Sequence, residues 1–137
     1  MSASAQTDAA NENELAPTRR FSLDNRVFTP VDNSTGGIVD ARTRFHFWQD
    51  GDAFYADYFG GDVREGHIIG RFTGPRTGQM LYHCMTVERT LKAGRALVTF
   101  HLSDDGRVGM SLDWSWISGG EDSGRSYYEE ITGPGWR

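Results

Sequence analysis

From Phe21 onward the chain falls into short runs in which apolar and polar residues alternate, joined by links of a few residues rich in Gly, Asp and Asn. Those links constrain the fold most. A parallel crossover needs a dozen or more residues, so connections this short join only antiparallel neighbours. No stretch carries the i, i+3, i+4, i+7 apolar spacing over the ten or more residues of a helix, and the 17 glycines concentrate after residue 35, where they would weaken one. The pattern predicts strands at about 26–31, 38–49, 53–60, 66–73, 79–90, 95–103, 107–117 and 124–132. An eight-strand meander leaves two open edges, which pairing of the first strand with the last removes. The expected fold class is all-β, a single antiparallel up-and-down β-barrel of about eight strands. An open two-sheet sandwich is the alternative.

Residues 1–20 hold almost nothing to bury and are read as a flexible tail preceding a barrel domain over 21–137. The length of 137 residues suits one core. Net charge is -5 and Lys and Arg are scattered, so no basic stripe exists to neutralise a phosphate backbone, and nucleic acid is not an expected partner. No apolar run approaches the roughly 20 residues that span a bilayer, so no membrane partner is expected either. The N-terminus lacks the basic and apolar segments of a secretory signal, and Cys84 stands alone without a disulfide partner; both point to the cytoplasm.

Turn chemistry sets the faces. Asp50-Gly51 as a two-residue loop pairs Phe47 with Phe54 and Phe45 with Ala56, leaving an Arg44–Asp57 ion pair on the other face. Asp104-Asp105-Gly106 as a three-residue loop, with Gly106 left-handed, sets Leu102, Phe100, Val98 and Ala96 against Val108, Met110, Leu112 and Trp114. That register matches two apolar faces, whereas a slip of one residue does not. Gly60-Gly61 and Gly70 interrupt strong strands and suggest bulges or bends.

If Lys92-Ala93-Gly94 is also a three-residue loop, Glu88 lies opposite Val98 and points into the lumen. There its carboxylate would be disfavoured and its pKa raised toward general acid–base work. With the loop displaced by one residue Glu88 is solvated. Tyr82, Cys84, Thr86, Phe100, Met110, Leu112, Trp114 and Trp116 share the Glu88 face. An eight-stranded barrel is filled by its own side chains or holds one small ligand, so this set forms either a core or a pocket. Candidate catalytic residues are Glu88 with Tyr82 or Tyr58. Candidate ligand-binding residues are Thr86, Phe100, Met110, Leu112, Trp114 and Trp116. His46, His67, His83 and His101 lack zinc-ligand spacing, although His83 and His101 could be neighbours on one face; no metal site and no cofactor are expected.

Thr43-x-Phe45-x-Phe47-x-Gln49-x-Gly51, Tyr58-x-Gly60-Gly61, Gly66-x-Ile68-Ile69-Gly70, Tyr82-His83, Asp105-Gly106-Arg107-Val108, Trp114-x-Trp116, and Ser123-Gly124 followed by Glu129-Glu130 occur in order. Together they resemble a family of small bacterial proteins often labelled N-acetylglutamate synthase, over about residues 26–131. The resemblance implies the barrel and brings no catalytic residues. An acetyltransferase of the usual fold receives the cofactor pyrophosphate on a helix N-terminus with a Gly-rich entry, which this chain lacks. Three functions fit the barrel. The first is a calycin-like carrier or sensor of a small apolar or aromatic molecule, walled by Tyr82, Trp114 and Trp116. The second is an isomerase or cyclase in which Glu88 and a tyrosine move a proton. The third is a filled structural module that forms a homo-oligomer through outer aromatics such as Trp48.

Overall fold

The computed structural model describes residues 22–33 and 37–131; the tail assigned to residues 1–20 lies outside them. Among the described residues eight strands follow one another: β1 (Arg26–Asn33), β2 (Arg44–Asp50), β3 (Ala53–Gly60), β4 (Val63–Phe72), β5 (Thr77–Thr86), β6 (Leu91–Leu102), β7 (Val108–Ser118) and β8 (Ser123–Glu130). Each pairs antiparallel with the next and β1 pairs with β8, so the barrel is closed. Closure leaves no unpaired edge, and the sandwich alternative is set aside. Among the described residues no helix is long and apolar enough to cross a membrane.

The β6–β7 hairpin has the expected register: Leu102, Phe100, Val98 and Ala96 oppose Val108, Met110, Leu112 and Trp114, and Gly106 sits at φ 87°. Three other expectations are corrected. In the β2–β3 hairpin Gly51, at φ 62°, takes the first position of a Gly51-Asp52 loop, so Asp50 still pairs with Ala53. Phe47 therefore faces Ala56 and Phe45 faces Tyr58. The shift is even, so the face is kept. The Arg44–Asp57 pair does not form, since Arg44 donates to the carbonyl of Ala41 at 2.6 Å and Asp57 meets His67.

The strand expected from residue 38 begins only at Arg44. Before it, Asp40 and Thr43 close a turn: the Thr43 amide donates to the Asp40 carbonyl at 2.9 Å, and the Thr43 hydroxyl accepts from the Asp40 amide and donates to the Gly60 carbonyl. Finally, the β5–β6 turn is Val87-Glu88-Arg89, with Arg89 left-handed at φ 71°, and not Lys92-Ala93-Gly94. Val98 is paired with Gly78 and Tyr82 with Gly94. Of the two glycine interruptions, Gly60 ends β3 at the expected irregularity, a shift of register after Tyr58, and Gly61 opens the turn to β4, at φ 111° and 64°, while Gly70 lies inside β4 under the ring of Phe54.

The lumen is filled unevenly. Towards one end Phe28, Phe47, Phe54, Phe72 and Phe100 pack edge-to-face or tilted, with centroids 5.2–6.1 Å apart, and Leu23 is fully buried. Elsewhere in the core Tyr58, Tyr82, Tyr128, Trp114 and Trp116 take over. Glycines paired with these rings on the adjacent strand make room: a Cβ on Gly66, Gly70 or Gly94 would strike the ring of Tyr58, Phe54 or Tyr82.

Candidate functional site

Inside the barrel a cavity of about 40 Å³ is bounded by Asn33, the 37–39 segment, Tyr58, Tyr82, Trp114, Trp116 and Tyr128. It has room for a few waters, since one needs about 10–15 Å³. A larger hollow of about 1000 Å³ lies on the outside, over Tyr55, Ile69, Leu81 and Leu97 with Arg71 and Arg95 between them. These are outward side chains of a curved sheet, so the site within the lumen is the smaller, inner one.

Each wall follows from strand alternation. On β7 Leu112, Trp114 and Trp116 face inward, with Trp114 against Trp116 at 5.9 Å and Tyr82 edge-on to Trp116 at 5.8 Å. Trp114 Nε1 donates to Ser126 Oγ at 2.9 Å, Ser126 Oγ donates to Asn33 Oδ1, and Asn33 Nδ2 donates to the Val39 carbonyl at 2.9 Å. This chain ties β7, β8 and β1 to the segment at the cavity mouth, where Ile38 and Val39 pack on the core. Phe45 lies stacked on Tyr58 at 4.7 Å and tilted on Tyr128 at 4.8 Å.

Among the described residues no charged side chain lines the cavity. Burial first, and then the neighbouring Cys84, pushes the Tyr58 and Tyr82 hydroxyls far above the usual phenol range. Burial does the same for Tyr128, helped by Tyr82 nearby. All three phenols therefore keep their protons and act as hydrogen-bond donors rather than bases. Burial likewise raises the Cys84 thiol, which disfavours the nucleophilic thiolate.

Of the residues singled out in the sequence, Tyr58, Tyr82, Leu112, Trp114 and Trp116 meet at the cavity. Three are core residues away from it. Phe100 belongs to the phenylalanine cluster, Met110 is 1% exposed, and Thr86 caps its turn by accepting from the Thr90 amide at 3.1 Å. Glu88 is corrected outright: it is an exposed turn residue, and among the described residues no Asp or Glu is buried. His83 neighbours His67, at 5.5 Å, and not His101. Among the described residues no three His, Cys, Asp or Glu side chains converge as a metal site. Asn33, Ser126 and Tyr128 were not anticipated. Strand alternation running back from Glu130 through Tyr128 to Ser126 is the signal that could have found the last two.

Residues 21–131 match the model of a protein family described as avidin-like protein. No curated protein and no solved structure matches the chain.

Proposed function

The chain belongs to the avidin-like family, and from that premise we propose that it binds a small apolar or aromatic molecule at the tyrosine- and tryptophan-lined part of its lumen. The observation that carries the reading is the asymmetry of the core. The phenylalanine cluster is packed shut, whereas the Tyr–Trp region keeps a cavity walled by aromatic faces and neutral donors. Such a mixture of apolar wall and few polar groups is the usual make-up of a ligand site. A ligand larger than a few atoms displaces Ile38 and Val39, which are only half-buried and are held by one side-chain bond from Asn33.

Proton transfer is the weaker reading, because its proposed acid, Glu88, is in solvent and the remaining candidates are neutral phenols. The oligomer reading has its own support: Ile69, Leu81 and Leu97 are each more than half exposed and lie close together across β4–β6. A second copy covering that face is compatible with ligand binding in the lumen.

Calorimetric titration with biotin, a ligand of the family, and with indole tests the proposal. The expected result is saturable one-to-one binding of at least one of them with a negative heat-capacity change, weakened by Val39→Trp, which crowds the mouth. Absence of saturable binding, or binding indifferent to Val39→Trp, would overturn it.

A further inference from the structure

On the outside of the barrel wall, strand pairing sets Asp57 of β3, His67 of β4 and His83 of β5 in one row, each directly opposite the next. Glu65 joins them from two residues back on β4. His67 is the hub of the group, with Nδ1 at 2.8 Å from Asp57 Oδ1, Nε2 at 2.9 Å from Glu65 Oε2, and its ring centre 5.5 Å from that of His83. Asp57, Glu65 and His83 are exposed and His67 is half-buried, so a solute reaches all four without opening the barrel. As exposed ion pairs they add little to stability.

Imidazole nitrogens beside a carboxylate are the donors that zinc, copper and nickel ions take. On a tetrahedral ion, with each donor about 2.0–2.2 Å away, two imidazole ring centres stand about 5.2 Å apart, and a nitrogen and a carboxylate oxygen about 3.4 Å apart. The distances found for His67 with His83 and with Glu65 lie within about half an ångström of these. We propose that His67 Nε2, His83 and Glu65 hold one divalent transition-metal ion on the outer face of β4–β5, with Asp57 as a positioning residue. The ion replaces the proton shared by His67 Nε2 and Glu65. Asp57 keeps the Nδ1–H hydrogen bond, the arrangement by which a carboxylate fixes the tautomer and heading of a ligating imidazole. Asp57 and Glu65 together also balance the two charges of the ion. Among the described residues no three such donors converge as the side chains stand, so the site closes when the exposed His83 side chain turns between staggered rotamers. Water completes the coordination.

Zinc chloride titrated calorimetrically into the untagged full chain tests the site, with the melting temperature followed in parallel. One zinc ion should bind saturably per chain and raise the melting temperature. Asp57→Asn should weaken binding about ten- to a hundredfold, and His83→Gln, which removes a donor from the ion itself, at least as much. Without zinc both variants should melt with the wild type, because the positions are exposed, which separates a lost ligand from a lost fold. His101, opposite Gly109 on the β6–β7 pair, is the control, and His101→Gln should leave the affinity unchanged. Absence of saturable zinc binding up to about 1 mM would overturn the proposal. So would undiminished binding in Asp57→Asn or His83→Gln, or an equal loss in His101→Gln.

Discussion

Replacing Gly70 by Ala tests how the core is built. A Cβ on Gly70 would stand 3.0 Å from Cδ1 of Phe54 and closer still to Cε1 and Cζ, against an optimum of about 3.5–4.0 Å between carbons. The Phe54 ring is fully buried, with Phe72 at 5.2 Å, Phe100 at 5.9 Å and Phe47 at 6.1 Å, so it has nowhere to retreat. Overpacking of this kind costs about 1–3 kcal/mol. Stiffening of the unfolded chain returns about 0.4–1 kcal/mol. The expected net loss is about 1–2 kcal/mol, read from urea unfolding followed by near-ultraviolet circular dichroism with an unchanged m-value. Phe54→Leu in the same background should rescue part of the loss, with a coupling energy of about 1 kcal/mol. A Gly70→Ala protein as stable as wild type, or strictly additive effects in the double variant, would refute the ring-over-glycine packing.

Glu88→Gln should change stability by less than about 0.5 kcal/mol, as expected for an exposed turn residue, and a larger effect in urea unfolding would contradict its placement. Arg89→Gly should stabilise by about 0.5–1 kcal/mol, because the left-handed turn position strains a side chain and glycine relieves it; a lower melting temperature would contradict this. The His67 ring nitrogens, when protonated, donate from Nε2 to Glu65 at 2.9 Å and from Nδ1 to Asp57 at 2.8 Å, and these two carboxylates together raise its pKa. A raised folded pKa gives stability that is present below the unfolded value of about 6.5 and disappears as pH rises through the folded one. The side chain is 43% exposed, so the effect should be about 0.5 kcal/mol or less. Melting curves of wild type and His67→Gln should therefore differ most near pH 5 and converge near pH 9; a gap that widens with pH would reverse the sign.

The strand count, the closed meander and the inward face of β7 were legible because alternation and link length fix them with little help from tertiary context. The Asp104-Asp105-Gly106 hairpin was legible to the residue, since one register alone aligns Phe100 and Val98 with Met110 and Leu112. The β5–β6 turn was misread for a physical reason. Gly94 looked like turn chemistry, yet it lies within β6, where a missing Cβ admits the ring of Tyr82, while a non-glycine, Arg89, supplies the left-handed residue. That displacement carried Glu88 out of the lumen. Tyr58, Tyr82, Trp114 and Trp116 kept their places because the register errors were even and left every face unchanged. Which of the inward residues surround an opening, and which fill the core, depends on ring packing between distant strands. For that reason Phe100 and Tyr128 could not be sorted in advance.

The most direct test follows the tryptophan indole N–H resonances of the isotope-labelled protein while unlabelled indole is added. Trp114 and Trp116 wall the cavity, and Trp48, 39% exposed, stands on the outer face. A ligand in the lumen should move the Trp114 and Trp116 signals together along one saturation curve and leave Trp48 where it was. Movement of Trp48 alone, or no saturable movement of Trp114, would contradict the account.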